Sequence, residues 1–175
     1  NYFESAAKPD DNEYKLAHTH SGGSGDWDNP SAEEYAFLKL PVSFDLQKED
    51  FCVTLKAETI TGSPPIMMAG VQQADKNIFP DAGGYSMGFS PDMKSCYVKR
   101  SGLMVADDRC EPGADTFQFF KRGNAFYLLR GEQCLIRYYD FDPLPAEKAW
   151  IYLGLRPKSR IRIHRLLLLL NKTTA

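Results

Sequence analysis

Short runs of β-branched and aromatic residues repeat at near-even spacing from about residue 35 to the end of the chain. Runs such as DFCVTLKAETI, AFYLLR and AWIYLGLRP are separated by turn segments such as SPDMK, EPGA and PKS. About ten such runs, with little helix signal between them, are typical of a β-sandwich or barrel. The immunoglobulin Cys…Trp…Cys pattern is missing. The sequence therefore predicts an all-β fold, a two-sheet antiparallel β-sandwich of the jelly-roll type with about ten or more strands.

The chain divides by composition into two parts. Residues 1–30 are polar and rich in Asp, Gly and Ser, which predicts a loop or a loosely attached arm. Residues 31–175 are predicted to form a single jelly-roll domain. The one helix candidate is SAEEYAFLK, where Ser31 and Glu34 match a capping box. It is short and runs directly into strand-like sequence, so it does not change the all-β prediction.

Charge and hydropathy narrow the classes of partner. The net charge of −2 argues against a nucleic-acid binder that relies on positive potential. The longest apolar run is Leu166 to Leu170, far shorter than the roughly 20 residues that span a bilayer. No secretory signal opens the sequence. We therefore expect a soluble mature domain or a piece of a longer protein, with no nucleic acid and no membrane span.

The four cysteines are widely spaced, with no C-x-x-C pair, so a structural zinc site is not expected. Cys52 and Cys134 lie within strand-like runs and are predicted to be small buried hydrophobic residues. Cys96 and Cys110 flank the segment YVKRSGLMVADDR, which is predicted to form a hairpin. Free thiols are favoured here, and a cross-hairpin disulfide is the alternative.

The C-terminal third, FFKRGNAFYLLRGEQCLIRYYDFDPLPAEKAWIYLGLRP followed by IRIHRLLLLL, resembles the last strands of concanavalin A-like lectin/glucanase jelly rolls. GGYSMGFSPD resembles a middle strand of the same superfamily, and the nearest subgroup is the laminin-G-like set with keto-disaccharide-hydrolase-like domains. This resemblance implies a jelly roll whose concave face often binds carbohydrate. The E-x-D-x-x-E motif of the glucanases is absent from the sequence, so the resemblance does not imply a reaction.

A basic and aromatic stripe is the first candidate site. In AWIYLGLRP, alternation places Ile151, Leu153 and Leu155 on one face and the polar and aromatic residues on the other. If the late strands are neighbours, one open surface would hold the predicted ligand-binding residues Arg137, Tyr139, Trp150, Tyr152, Arg156 and Arg162. Aromatic rings stack on pyranose rings and arginines bind acidic groups, which suits an acidic polysaccharide. The competing interpretation is an ordinary solvated face, with Leu128 and Ile136 in the core behind it.

Aspartates and histidines are the other candidates. Asp140 and Asp142 flank Phe141 and point the same way in an extended chain, which suits a structural calcium ion. Turn chemistry is the favoured explanation for both, and no other cofactor is predicted. His18, His20 and His164 are the only histidines, and the HTH pair suits a metal or a general base. No nucleophile elbow or phosphate loop accompanies them.

Together these features predict a non-catalytic, lectin-like carbohydrate-binding domain, from an exported polysaccharide-processing protein with further domains. The partner is then a polysaccharide or oligosaccharide, and the location extracellular or periplasmic. Two alternatives stay open. One is a glycoside hydrolase or polysaccharide lyase acting on the same face, although no catalytic signature is found. The other is a structural or protein–protein interaction domain.

Overall fold

The computed structural model describes residues 4–7, 26–28, 36–71, 83–90, 92–110, 116–156 and 158–172. Within them the chain forms β-strands and no α-helix. The strands are β1 (Glu4–Ala7), β2 (Asp26–Asp28), β3 (Ala36–Phe44), β4 (Glu49–Thr61), β5 (Ile66–Gly70), β6 (Gly84–Phe89), β7 (Ser95–Arg100), β8 (Leu103–Arg109), β9 (Thr116–Arg122), β10 (Ala125–Arg130), β11 (Gln133–Tyr139), β12 (Ala149–Leu155) and β13 (Arg160–Lys172). The all-β prediction is confirmed. Of the helix candidate, residues 36–39 lie in β3 and the rest lie outside the described residues.

The strands form two antiparallel sheets, as predicted. The seven-stranded sheet has the order β1-β13-β4-β9-β10-β11, with β2 also paired to β13. The six-stranded sheet has the order β3-β12-β5-β6-β7-β8. Strands β5 to β8 form a meander, whereas β12 lies between β3 and β5, which come much earlier in the sequence. Neighbours in space are therefore only partly neighbours in sequence. Within the described residues, no helix is long and apolar enough to cross a membrane.

The core lies between the two sheets and is built by alternation along the strands. On β4, Phe51, Val53 and Leu55 are buried in the main hydrophobic cluster, as the sequence pattern predicts. Aromatic side chains join the sheets, since the ring of Tyr85 on β6 lies 4.0 Å from that of Phe126 on β10. Such aromatic contacts contribute about 0.5–1.5 kcal/mol beyond the area that they bury. The packed core fixes which face of each strand points outward.

The β10–β11 hairpin shows where local alternation fails. Leu128 and Ile136 are opposite one another and buried, as predicted. A β-bulge follows, so that Leu129 pairs with Cys134 and the intervening Leu135 packs against the core. Because the bulge changes the direction of the strand at the sheet edge, Cys134 is exposed. The prediction that Cys134 is buried is therefore wrong, whereas the same prediction for Cys52 is confirmed.

Candidate functional site

The outer face of the six-stranded sheet holds half of the predicted stripe. On β12, Ile151, Leu153 and Leu155 point into the core, which leaves Trp150 and Tyr152 on the opposite side. There they form a second, smaller hydrophobic cluster with Ile66 and Met68 of β5. This cluster makes part of the outer face hydrophobic, whereas a fully solvated sheet face would carry mainly charged and polar side chains.

Strand register aligns a row of side chains across this face. Successive ladder partners are Lys39, Tyr152, Met68, Ser86, Lys99 and Met104, from β3 to the edge strand β8. Met68 and Ser86 at the centre are each only 1% exposed. At the ends of the row, Lys39 and Met104 are exposed and Lys99 is half-buried. The middle of the row is therefore covered in the folded chain, and the two ends are accessible.

Cations lie over the aromatic rings of this face. The Lys39 Nζ is 4.9 Å from the centroid of the Trp150 ring, and the Lys148 Nζ is 5.5 Å from it. The Lys99 Nζ is 5.0 Å from the centroid of the Tyr97 ring. Cation–π contacts at exposed sites contribute only about 0.5–1 kcal/mol. A ligand ring can therefore displace a lysine from Trp150 at small cost while keeping its charge nearby.

Arg156, Tyr97 and Gly88 pack together on this face. The Arg156 guanidinium donates to the Phe89 carbonyl oxygen at 3.1 Å and to the Tyr97 hydroxyl at 3.0 Å. These bonds use two of the five N–H donors of a guanidinium. Gly88 makes room for the ring, since a Cβ there would lie 2.5 Å from the Tyr97 hydroxyl oxygen. The absence of a side chain at position 88 thus lets Tyr97 lie flat against β6.

The other predicted stripe residues lie elsewhere. Arg137 and Tyr139 are on β11, at the edge of the seven-stranded sheet, and Arg162 is on β13 of that sheet. Strands β4, β9 and β10 separate β11 from β13. The structure therefore brings Trp150, Tyr152 and Arg156 together but does not add the other three. Arg137 instead lies 5.7 Å from the ring of Tyr127 on the opposite side of the sandwich.

Asp140 lies in a buried hydrogen-bond cluster that joins the two sheets. Its Oδ2 accepts from the Tyr85 hydroxyl at 2.5 Å and from the Arg100 Nε at 2.8 Å. Its Oδ1 accepts from the backbone N–H of Asp142 at 2.9 Å. Arg100 also donates to the Asp142 carbonyl oxygen at 2.6 Å, and Tyr85 accepts from the Leu144 N–H at 3.0 Å. We call these groups the Asp140 cluster.

The electrostatics of this cluster explain why Asp140 is charged although buried. Burial alone raises the pKa of the carboxyl, but the bonds from Tyr85, the Asp142 N–H and Arg100 outweigh it and hold the pKa below its usual value. Burial and the bond to Asp140 raise the pKa of Tyr85, which stays a neutral donor. Both Asp140 oxygens thus already accept protein donors, which favours the turn interpretation over calcium.

The remaining candidates are less organised. The His164 Nε2 lies 3.7 Å from the Glu58 Oε2, and both side chains are exposed. His18 and His20 lie outside the described residues, as does most of the N-terminal arm. Among the residues that the structure describes, no group of three His, Cys, Asp or Glu side chains could hold a metal ion.

Sequence reasoning missed Tyr97, Lys99 and Gly88, although their signals are present. SCYVKR alternates as a strand, so Tyr97 and Lys99 share the face opposite Cys96 and Val98. GGYSMGF places only glycine and serine on the outward positions of β6, while Tyr85, Met87 and Phe89 point inward. Strand β6 thus carries no bulky outward side chain, whereas its neighbour β7 carries an aromatic ring and a cation. This pattern predicts a binding surface on that face.

Comparison with known proteins identifies solved structures with the same architecture. No protein-family model matches the sequence, and no curated protein matches it either. Among solved structures, a Bacillus subtilis protein described as having a galectin-like fold superposes with a TM-score of 0.60 at 11% identity, covering 82% of this chain and 81% of that one. The fold is a galectin-like β-sandwich.

Two further structures share the fold. The carbohydrate-binding module CBM66 from Bacillus subtilis superposes with a TM-score of 0.57 at 9% identity, covering 82% of this chain and 85% of that one. The exoplasmic/lumenal domain of VIP36, in a form bound to Ca²⁺ and Man3GlcNAc, gives a TM-score of 0.58 at 10% identity, covering 84% of this chain and 78% of that one. These lectin-like folds are compatible with the resemblance to the concanavalin A-like superfamily.

Proposed function

We propose that this chain is a non-catalytic carbohydrate-binding domain and that the outer face of its six-stranded sheet is the binding surface. The observation that supports the proposal most directly is the pairing of cation and aromatic ring towards both ends of the row, Lys39 over Trp150 and Lys99 over Tyr97. Aromatic rings offer an apolar surface to a pyranose ring, and the polar groups beside them fix its hydroxyls. The face combines both kinds of group.

An acidic glycan is the ligand class that suits this face best. Cations Lys39, Lys99, Lys148 and Arg156 lie on it or beside it, with Asp107 as the acid opposite Tyr97. A planar guanidinium pairs well with a carboxylate or sulfate. Tyr152 contributes as a neutral hydroxyl, because burial raises its pKa. Affinity for a charged polymer should fall as salt rises, since screening shortens the reach of these charges.

The partner, the location and the parent protein of this chain are also part of the proposal. The structures with this fold include a carbohydrate-binding module and a lumenal domain bound to an oligosaccharide, which supports a glycan partner and an exported location. Membership of an exported polysaccharide-processing protein, with additional domains and a link to keto-disaccharide-hydrolase-like proteins, is the extension we infer from the sequence resemblance. A structural calcium ion is part of this extension, since the VIP36 form contains Ca²⁺.

The test is binding by the full chain to an array of acidic and neutral polysaccharides, with calcium present or chelated. Trp150→Ala and Lys99→Ala should each lower affinity for the ligand at least tenfold. The matched controls Tyr127→Ala and Lys56→Ala remove a half-buried aromatic and an exposed lysine from the outer face of the other sheet and should bind normally. Binding that is lost in the controls but kept in the two face variants would move the site to the seven-stranded sheet.

A protein–protein interaction domain is the second candidate, because one end of the sandwich exposes large apolar side chains. Leu103 is 73% exposed and Met104 56% exposed at the β7–β8 turn, while Phe141 is 89% exposed after β11. β11 also contacts β7 and β8. A folded protein that ignores every glycan on the array would favour this candidate. Release of reducing ends or unsaturated product from a bound glycan would instead establish an enzyme.

A further inference from the structure

Two cysteine side chains meet where the β7–β8 hairpin joins the core. Cys96 on β7 is opposite Asp108 of β8, and Cys110 follows the last residue of β8. The Cys110 N–H donates to the Lys94 carbonyl oxygen at 2.8 Å, which continues the pairing by one step. The two cysteines are therefore diagonal neighbours on the same side of the hairpin.

Both side chains point into the core from adjacent positions of the hairpin. Both side chains belong to the main hydrophobic cluster, Cys96 being 1% and Cys110 8% exposed. Burial and the neighbouring Cys110 thiol raise the pKa of Cys96. The Cys110 Sγ also donates to the Met93 carbonyl oxygen at 3.0 Å, and the Cys96 Sγ lies 3.7 Å from the Asp108 carbonyl oxygen. A disulfide bond of about 2.05 Å would require the two side chains to turn towards each other across the hairpin.

We propose that Cys96 and Cys110 form an intramolecular disulfide when the folded chain meets a low-molecular-weight disulfide as oxidant. The site is independent of the glycan ligand, and the pairing is selective. Cys52 lies on β4 and Cys134 on β11, both in the seven-stranded sheet, whereas the Cys96–Cys110 pair belongs to the β7–β8 hairpin of the other sheet. Among the four cysteines, the cross-strand register of the β7–β8 hairpin thus favours one connectivity.

The reaction proceeds by two exchanges. The Cys110 thiolate attacks one sulfur of the oxidant, breaks its S–S bond and releases the first thiolate, which leaves a mixed disulfide on Cys110. The Cys96 thiolate then attacks the Cys110 sulfur, forms the protein disulfide and releases the second thiolate. The protein loses two hydrogens, the oxidant takes up two electrons, and the thiol protons pass through solvent to the released thiols. Cys110 reacts first because it is the more exposed of the two residues, 8% against 1%, and because burial raises the pKa of Cys96 to about 12.

The disulfide would fix the edge strand β8 to the rest of the sheet. All residues of β8 except Ala106 are exposed, and among the described strands β8 pairs only with β7. Edge strands held by a single ladder open more readily than central ones. The disulfide would close a loop of about 15 residues and raise the thermal midpoint by about 5–10 °C. It would also slow backbone hydrogen exchange along Leu103–Arg109.

The experiment treats the full folded chain with oxidised glutathione, blocks the remaining thiols in denaturant, and maps the tryptic peptides without reduction. We expect peptide 95–99 linked to peptide 110–121, whereas the exposed Cys134 can take up a single glutathione without joining another peptide. The Cys52→Ser and Cys134→Ser variants serve as matched controls and should form the same link. In the Cys110→Ser variant, the Cys96 thiol should stay reduced under the same treatment.

Two results would overturn the proposal. One is a protein that remains folded after prolonged oxidation with the Cys96 and Cys110 thiols still alkylatable. The other is a link that involves peptide 49–56 or peptide 131–137, which contain Cys52 and Cys134. Because the decisive measurement uses the unaltered chain, a cysteine variant that failed to fold would not affect the conclusion.

Discussion

Replacing Asp140 with asparagine tests the buried cluster that joins the sheets. The carboxylate accepts from Tyr85 and Arg100 at Oδ2 and from the Asp142 N–H at Oδ1. An asparagine side chain has one oxygen acceptor, so its NH₂ group must face either the Asp142 N–H or the Tyr85 and Arg100 donors. In either orientation, a buried donor is left opposite another donor. Arg100 also loses the negative charge that neutralises it.

The size of the effect follows from the number of bonds lost. A hydrogen bond to a charged group contributes about 1.5–3 kcal/mol; the favoured orientation of asparagine keeps its oxygen at the Oδ2 position, gives up the bond from the Asp142 N–H, and weakens the two remaining bonds because the acceptor is no longer charged. Arg100 is 28% exposed, so water can compensate part of its loss. We therefore expect Asp140→Asn to lower the free energy of unfolding by about 2–4 kcal/mol. For a chain of this size, that corresponds to a thermal midpoint lower by about 5–15 °C.

Denaturant unfolding measured by fluorescence or circular dichroism provides the assay, with Asp142→Asn as the matched control. The Asp142 carboxylate is exposed, and this residue contributes its backbone N–H and carbonyl to the cluster. The control should stay within about 0.5 kcal/mol of the parent chain. If Asp140→Asn were as stable as Asp142→Asn, the cluster would contribute nothing and the reasoning above would be wrong.

The pH dependence provides a second, independent readout of Asp140. Its pKa in the folded chain is below the usual value, so folding favours the ionised form. The contribution of the carboxylate is complete above the unfolded pKa of about 3.9 and is lost as pH falls towards the lower folded pKa. The difference in unfolding free energy between the parent chain and Asp140→Asn should therefore be constant near neutral pH and narrow below about pH 4.

Three further substitutions test other parts of the molecule. Tyr85→Phe removes the hydroxyl that donates to Asp140 and accepts from Leu144, and should lower the unfolding free energy by about 1–3 kcal/mol in the same assay. Gly88→Ala places a methyl group against the Tyr97 ring. We expect it to lower the free energy of unfolding by about 1–3 kcal/mol and to weaken glycan binding. Unchanged binding would show that Tyr97 is not part of the site. Phe141→Ser should leave stability within about 0.5 kcal/mol, because Phe141 is 89% exposed; a larger loss in thermal unfolding would show that it packs in solution.

Alternation along a strand predicted the faces but not the neighbours of each strand. Ile151, Leu153 and Leu155 share the core face as the sequence indicates. The sequence pattern does not indicate which sheet holds each strand. For example, β12 pairs with β3 and β5 rather than with β11 or β13. The predicted stripe assumed that late strands are neighbours. In this fold, the chain crosses between sheets after β11 and again after β12, so consecutive strands point their outer faces in opposite directions.

The role of Asp140 depends on hydrogen-bond donors that are distant in the sequence. The sequence shows an aspartate in a DFDP corner, which is compatible with both a turn and a calcium ligand. Its partners Tyr85 and Arg100 lie 55 and 40 residues earlier, and no local pattern links them. The bulge that exposes Cys134 is similarly invisible, because it depends on how β11 meets β10 at a sheet edge.

The Asp140 cluster and the proposed binding face share the same two strands. Tyr85 and Arg100 point inward from β6 and β7 to Asp140, while their chain neighbours Ser86 and Lys99 are partners in the outward row. Because alternate residues of a strand point to opposite faces, the bonds that fix Asp140 to β6 and β7 also fix the position of the outer side chains. Preorganised polar groups lose less freedom on binding. Asp140→Asn, which touches no ligand, should therefore weaken glycan affinity at temperatures where the variant is still fully folded. If its affinity equalled that of the parent chain, the face would be held by its own ladder bonds alone.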